Sequence, residues 1–231
     1  MITLQKLQTF CLILGLICGC LFGYTPSAIA LNSKHLHQLF ETQTCASILW
    51  KVCDLKGADL SHQNLSEFNL SGANLQGANL QYAIVKNANL SGTNLKQADL
   101  DHANLSGVNL TRANLTNASL IDTELWYADL TLADLTHANL EGSNLLEARL
   151  WGTNLKAVNL TGGSLRGTNL QYANLAKSNL AGSDFHSFYF RQSQTVTDLS
   201  NANLEGANLQ QTDLRGVILH GTILPDGRIH E

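Results

Sequence analysis

Leucine recurs at every fifth position through most of this chain, and the residues between the leucines are small or polar. Counting in fives from Leu55 to Phe190 passes 28 positions, and 25 of them hold Leu. The frame slips once, across "RQSQTVTD", and resumes from Leu199 to Leu224 with Leu at all six positions. One repeated unit therefore covers about three quarters of the chain, and it predicts a repeat architecture.

A period of five fits neither standard element. On an α-helix, five-residue steps carry the leucines around every side, so no apolar stripe forms. In a straight strand, residues an odd number apart alternate between faces. The chain must therefore bend within each repeat, with a short extended segment followed by a turn, so that every Leu lies on one side.

The other positions of the repeat support this arrangement. With the leucine called position i, position i−2 is small, as at Ala73, Ala103 and Ala207. Because i and i−2 share a face in an extended chain, both are predicted to point inward. Position i−1 is Asn or Asp in 26 of 34 repeats and should point outward, and the next two residues are turn formers or soluble groups.

The segments "SGANLQGANL", "DHANLSGVNL" and "NANLEGANLQ" resemble the A(D/N)LXX signature of pentapeptide-repeat proteins, in particular exported members of the cyanobacterial type. The resemblance implies an all-β solenoid, a right-handed quadrilateral β-helix with four pentapeptides per coil. Stacked at roughly 4.8 Å per coil, the repeats would form a rod about 40 Å long.

These patterns divide the chain into consecutive segments. A short amphipathic helix is predicted in the leader, where Leu36, Leu39 and Phe40 have helical spacing, and it would cover the open end of the first coil. Pro225 and the turn after it mark the end of the repeats. The predicted segments are a signal peptide (1–30), a helical cap (31–52), about seven coils (53–190), a loop of about four extra residues (191–198), about one and a half further coils (199–224) and a tail (225–231).

The first thirty residues have the composition of a secretory signal peptide. One lysine precedes an apolar run from about Phe10 to Phe22, and "AIA" ends the segment. This pattern predicts cleavage after Ala30 and export to a periplasm or a thylakoid lumen. A lipoprotein with a lipidated Cys20 and an uncleaved anchor are the two alternatives.

Cleavage changes the charge and the cysteine count. It leaves 13 of the 14 basic residues and all 18 acidic ones, a formal net charge of −5, which argues against a nucleic-acid partner. Cys45 and Cys53 remain, and an even pair in an exported protein favours a disulfide that joins the leader to the first coil. Two buried free thiols are the alternative, and a metal pair is disfavoured by the spacing.

No catalytic motif accompanies the repeats, so the chain is predicted not to be an enzyme and to need no cofactor. Asp99, Asp129 and Asp134 are carboxylates that the repeat itself requires at i−1. His62 and His102 lie two coils apart on one column with Tyr82 between them, so they cannot share a metal. Nucleophile-elbow, phosphate-loop and zinc-protease motifs are missing from the sequence.

A set of residues breaks the repeat on its outside. Because residues twenty apart stack vertically in a four-sided coil, these residues are predicted to form a mostly apolar patch across two neighbouring sides and about three coils. Unrelated surface aromatics are the alternative interpretation. The predicted partner patch consists of Trp126, Tyr127, Leu132, Leu146, Trp151 and Tyr172.

Two functions are compatible with these features. The first is an exported non-catalytic scaffold or protein-binding module. The second is a DNA-mimicking topoisomerase inhibitor, as in the quinolone-resistance members of the family that the chain resembles. That mimicry requires a cytoplasmic protein with a strongly acidic face, and the export signal and modest acidity favour the first function.

Overall fold

The computed structural model of the chain describes residues 35–45, 53–186, 188–190 and 193–231. The predicted signal segment and its cleavage point lie outside the described residues. Residues 35–42 are helical and form α1. The two strands are β1 (Phe188–Phe190) and β2 (Ser193–Thr195).

The repeats stack into coils of twenty residues with four turns each. Each i−1 residue forms a parallel bridge with the residue twenty positions later, from Asp54 with Asn74 to Ser164 with Asp184. The leucines at i are buried along the interior as far as Leu204 and half-buried from Leu209 onward, with Ala, Ser, Thr, Val or Gly at most i−2 positions. The predicted inward pairing of i with i−2 matches this burial.

In a repeat with Asn at i−1, each backbone N–H has a defined partner, as residues 108–112 illustrate. The Val108 N–H closes the turn, the Asn109 N–H donates to the preceding coil, and the Leu110 and Arg112 N–H groups donate to the following coil. The remaining N–H, on Thr111, donates to the side-chain oxygen of Asn109 at 3.0 Å. Asn and Asp therefore recur at i−1 because their oxygen accepts the one N–H that the coils leave unpaired.

Each turn also imposes a conformation on position i+2. There φ is positive whether the residue is glycine, as at Gly152 (61°), or not, as at Tyr127 (60°). Type II turns have this requirement, which glycine meets without a steric cost. A large side chain at i+2 is therefore accommodated at some expense of stability.

The frame slip is larger than the sequence predicts. The bridges across it join residues 29 apart, such as Asn169 with Asp198 and Asp184 with Asp213, so the coil holds nine extra residues and not four. Strands β1 and β2 pair antiparallel and form a hairpin within this insertion. Phe190 belongs to β1 and not to a repeat, so the repeats before the insertion end at the buried Phe185 and the predicted boundaries 53–190 and 191–198 are wrong. Fives counted along the sequence cannot detect this, because an aromatic residue stands at Phe190 in phase.

The leader packs on the first coil. Leu36 and Leu39 of α1 are buried in the core, and the Phe40 ring contacts the Phe68 ring edge-on with centroids 6.3 Å apart. The Cys45 N–H donates to the carbonyl of Asn69 at 2.7 Å, so the chain after α1 pairs with the first full coil. Hydrophobic burial and backbone pairing together cover this edge of the solenoid.

Candidate functional site

The residues of the predicted partner patch border one side of the rod, which we call the Arg149 face. Its outward i−1 residues are Asn109, Asp129, Arg149 and Asn169, in four successive coils. A corner row borders it on each side: the Trp126 corner and the Trp151 corner. The Trp126 corner comprises Trp126, Tyr127, Leu146, Glu147, Arg166, His186 and Arg215, and the Trp151 corner comprises Arg112, Leu132, Trp151, Gly152 and Tyr172.

The Trp151 corner contains a tight aromatic cluster. The Trp151 and Tyr172 rings meet edge-on with centroids 5.7 Å apart, and Tyr172 is 57 % exposed. A Cβ built on Gly152 would lie 2.9 Å from a methyl carbon of Leu132. The glycine therefore leaves the space that Leu132 occupies.

The Trp126 corner carries the second cluster. The Trp126 and Tyr127 rings are 5.5 Å apart and edge-on, and Leu146 is half-buried in the next coil. Between the two corners, the Arg149 guanidinium lies 3.9 Å from the Asp129 carboxylate. The predicted single apolar patch is thus two apolar clusters with a polar strip between them, because the i−1 column of this side carries an ion pair.

Charged residues sort by type around the rod, which the sequence-based prediction missed. Four of the five arginines in the described residues lie on the Arg149 face or its corners: Arg112, Arg149, Arg166 and Arg215. Four of the five described lysines lie on the corner diagonally opposite the Trp126 corner: Lys56, Lys96, Lys156 and Lys177. One signal was available in the sequence, because Arg149 replaces the usual Asn or Asp at i−1.

An ion-pair network lies at the base of the insertion. The His186 Nδ1 is 2.6 Å from an oxygen of Asp184 and 3.7 Å from an oxygen of Asp213. The Arg166 Nη2 lies 3.1 Å from the His186 Nε2. Hydrogen bonds from Arg215 lower the pKa of the half-buried Asp213 carboxyl to about 2. The sequence did not predict this contact, because Asp213 follows Asp184 by 29 residues instead of 20.

These three acidic and imidazole ligands could in principle approach one cation, since their ligand atoms lie within 4.8 Å of one another. Two guanidinium groups, however, already pair with the two carboxylates. Because a guanidinium can only donate, the Arg166 contact makes His186 Nε2 the acceptor and directs the Nδ1 hydrogen at Asp184. The composition of this cluster fits a structural ion-pair network better than a metal centre.

The histidines of the neighbouring corner form a stack instead of a ligand pair. The Tyr82 ring lies between His62 and His102, with centroids 5.1 and 4.9 Å away and nearly parallel planes. The His102 Nδ1 is also 3.8 Å from the Asp122 carboxylate. Tyr82 separates the two imidazoles, as the sequence predicts.

The carboxylates at i−1 serve the turns. Asp129 and Asp134 each accept a backbone N–H at 3.0 Å, and Asp99 accepts one at 3.1 Å. Such bonds are the structural role that the repeat assigns to this position. They account for these carboxylates without a reaction.

The structure joins Cys45 to Cys53, with their Cα atoms 5.4 Å apart. Both side chains are buried beside α1 and the first coil. The bond closes a short loop, eight residues in sequence separation, between leader and solenoid.

Within the part of the chain that the structure describes, no helix has the length and apolar character needed to cross a membrane.

The chain is similar to several solved structures of pentapeptide repeat proteins. One such structure is HetL, a pentapeptide repeat protein involved in heterocyst differentiation regulation in Nostoc sp. PCC 7120. Its sequence is 27 % identical to this chain, and the alignment covers 84 % of this chain and 98 % of HetL, with a TM-score of 0.52. Alr5209 of Nostoc PCC 7120 is 35 % identical over 38 % of this chain and 70 % of its own, with a TM-score of 0.36. A pentapeptide repeat protein of the Arabidopsis thaliana thylakoid lumen, AT2G44920, is 32 % identical over 50 % of this chain and 70 % of its own, with a TM-score of 0.26. The search of curated proteins gives no match.

The family model decides the assignment. The model of pentapeptide repeats matches in eight copies, over residues 53–92, 85–117, 113–152, 148–186 and 197–226. The matched segments end and resume on either side of the insertion. The bridges twenty residues apart and the four turns per coil are the structural form of the same repeat. The chain belongs to the pentapeptide repeat family.

Proposed function

We propose that this chain is an exported, non-catalytic repeat scaffold that binds a protein partner through the Arg149 face. The observation that carries the proposal is the concentration of Trp126, Trp151 and four of the five described arginines on this side, together with Tyr127 and Tyr172, and of four of the five described lysines on the opposite corner. Protein interfaces are enriched in Trp, Tyr and Arg and depleted in Lys, and those three enriched residue types dominate binding energies. The pentapeptide repeat does not itself require that segregation.

Backbone conformation supports the same surface. Tyr127, Leu132 and Tyr172 occupy i+2 positions with φ of 59° to 60°, where many other repeats have glycine. A non-glycine residue in this region costs on the order of 1 kcal/mol or more. Most other i+2 positions hold glycine or a polar residue at the same positive φ. A large exposed apolar side chain there does not help the turn, which points to another function for it.

Charge favours protein binding over DNA mimicry. On the Arg149 face the Asp129 carboxylate pairs with the Arg149 guanidinium, and on the bordering Trp126 corner Arg215 pairs with Asp213 of the next side. A DNA mimic presents a row of negative charge that a basic surface can follow. The paired charges suit a polar interface with fixed register.

The test replaces two tyrosines of this surface with glycine, the residue that many other repeats have at the same turn position. Tyr127→Gly combined with Tyr172→Gly removes both rings and relieves two positive-φ positions. The matched control is Tyr82→Gly, which changes the same residue type at the same turn position (φ 57°) on another corner. Each variant is expressed in its native cells, cross-linked and purified, and each partner is measured by quantitative mass spectrometry.

We expect the double variant to recover at least about tenfold less cross-linked partner than the wild type, because hot-spot aromatic residues contribute about 2 kcal/mol each to binding. The Tyr82→Gly protein should recover as much as the wild type. Both should unfold at or above the wild-type temperature, because the relieved strain offsets the greater chain entropy of glycine. Equal recovery from both variants would contradict the proposed binding surface.

Export is tested at the N-terminus. Mass spectrometry of the protein from its native compartment should find Leu31 first, after removal of residues 1–30. A lipid on Cys20 would establish the lipoprotein alternative instead. An intact Met1 on a cytosolic protein would rule out export.

A further inference from the structure

We propose that the partner docks an amphipathic α-helix lengthwise into the trough of the Arg149 face, parallel to the axis of the rod. This inference rests on the proposed function and specifies the chemistry of the partner. We use trough for the strip whose floor is the Arg149 face and whose walls are the side chains of the two bordering corners, the exposed Tyr127 and Leu132 among them. The helix would present apolar residues to both walls and an acidic residue to the floor.

The width of the trough suits a helix. One side of the coil is three extended residues, about 10 Å at roughly 3.3 Å per residue. An α-helix with its side chains is about 10 to 12 Å across. The exposed Tyr127 and Leu132, 52 % and 43 % accessible, rise at opposite edges of this floor. A helix lying between them would contact both walls at once.

The spacing of the coils distinguishes a helix from an extended peptide. Wall residues repeat once per coil, as Trp126 and Leu146 do, which is about every 4.8 Å. One helical turn rises about 5.4 Å, so the mismatch is about 0.6 Å per coil and stays below about 2 Å over three coils. Alternate residues of an extended strand lie about 6.7 Å apart, a mismatch of about 2 Å at every coil.

The charge of the floor identifies the residue that the helix brings to it. The Arg149 side chain is 74 % exposed, whereas that of its partner Asp129 is 31 % exposed, and 3.9 Å separates the charged groups. A guanidinium binds a carboxylate with two parallel hydrogen bonds, and Arg149 has donors to spare beyond the loose contact with Asp129. An Asp or Glu within the apolar stripe of the partner helix complements this group.

Photocross-linking in the native cells tests the geometry while the identity of the partner is still open. p-Benzoylphenylalanine replaces Leu132 in one protein and Tyr172 in another, two positions on the same corner row and two coils apart. The full-length proteins are irradiated, and cross-linked partner peptides are sequenced by mass spectrometry. The same residue in place of Tyr82, on the His62–His102 stack, is the control for unspecific capture.

Two coils correspond to about 9.6 Å, which is about six residues of helix and about three residues of extended chain. We expect both positions to capture one partner segment at sites about six to eight residues apart. Sites about two to four residues apart would overturn the helix and leave the proposed binding surface standing. Capture no greater than that of the Tyr82 control would overturn both.

A charge reversal provides the second measurement. Arg149→Glu should reduce recovery of the cross-linked partner at least about tenfold, and Lys156→Glu, with the same charge change on the opposite corner, should not. A partner variant that changes the acidic residue nearest the two cross-links to Lys should restore binding to Arg149→Glu. Unchanged recovery from Arg149→Glu would refute the assigned acidic contact.

Discussion

Removal of one asparagine oxygen should destabilise the solenoid measurably, because that oxygen accepts the backbone N–H that the coils leave unpaired. Asn104 is the most informative position. Its Oδ1 accepts the Ser106 N–H at 3.2 Å and the Ser106 hydroxyl at 2.7 Å, and Ser106 is only 6 % exposed. Asn104→Ala removes both bonds where water has little access.

The magnitude follows from the burial of Ser106. A buried N–H left without an acceptor costs about 1 to 3 kcal/mol, whereas a hydroxyl can rotate towards another acceptor. We therefore expect Asn104→Ala to lower the free energy of unfolding by about 2 kcal/mol. For a chain of this size, that corresponds to a fall in Tm of about 4 to 8 °C.

Two companion variants isolate the cause. Asn104→Asp keeps the accepting oxygen and should lie within about 0.5 kcal/mol of the wild type, as several natural repeats use Asp. Ser106→Ala removes the hydroxyl alone, and adding Asn104→Ala to it measures the N–H contribution separately. Reversible denaturant unfolding gives the free energies, and hydrogen exchange reports the Ser106 amide. If the Ala and Asp variants at residue 104 were equally stable, the assigned role of the Asn would be wrong.

Three further outcomes are expected elsewhere in the rod. Cys45→Ser should speed hydrogen exchange in α1 while later coils stay protected. The disulfide closes a loop of about nine residues, so it contributes only about 2 to 3 kcal/mol and acts at one end of the solenoid. Uniform loss of protection along the rod would contradict this. Gly163→Ala should raise the free energy of unfolding by about 0.5 kcal/mol in denaturant unfolding, because alanine restricts the unfolded chain and occupies i−2 in many other coils. The added methyl group would lie 3.2 Å from two backbone carbonyl oxygens. A loss of stability would mean that these carbonyls cannot move to accommodate it. Arg215→Ala should raise the pKa of Asp213 from about 2 towards its usual range, measured by NMR titration, because the guanidinium hydrogen bonds are the main cause of the shift. The lowered pKa contributes stability above the unfolded-state pKa that is lost as the pH falls towards 2, so Arg215→Ala should flatten the acid dependence of unfolding between about pH 4 and pH 2.

The fold class and the core could be predicted from the sequence because the repeat is local. Each pentapeptide contains its own turn, its own inward pair and its own outward residue, so Leu110 and Ala113 are assigned to the core without reference to any distant contact. The stacking of residues twenty apart then follows from four turns per coil, and it placed Tyr82 between His62 and His102 as the structure does. Periodic sequences permit such inference since every repeat contacts only its neighbours.

Contacts between coils were decided by the tertiary structure. The role of Asn at i−1 depends on which backbone groups the neighbouring coils leave unpaired, and no single repeat contains that information. The sequence could not reveal that the insertion holds nine residues, because Phe190 continues the five-residue count while β1 removes it from the stack. Beyond that point every vertical neighbour changes, so Asp213 reaches His186 although it follows Asp184 by 29 residues. A local repeat determines the coil. An insertion shifts the alignment of all later columns, and the size of that shift is set only when the coils on both sides have stacked and formed their hydrogen bonds.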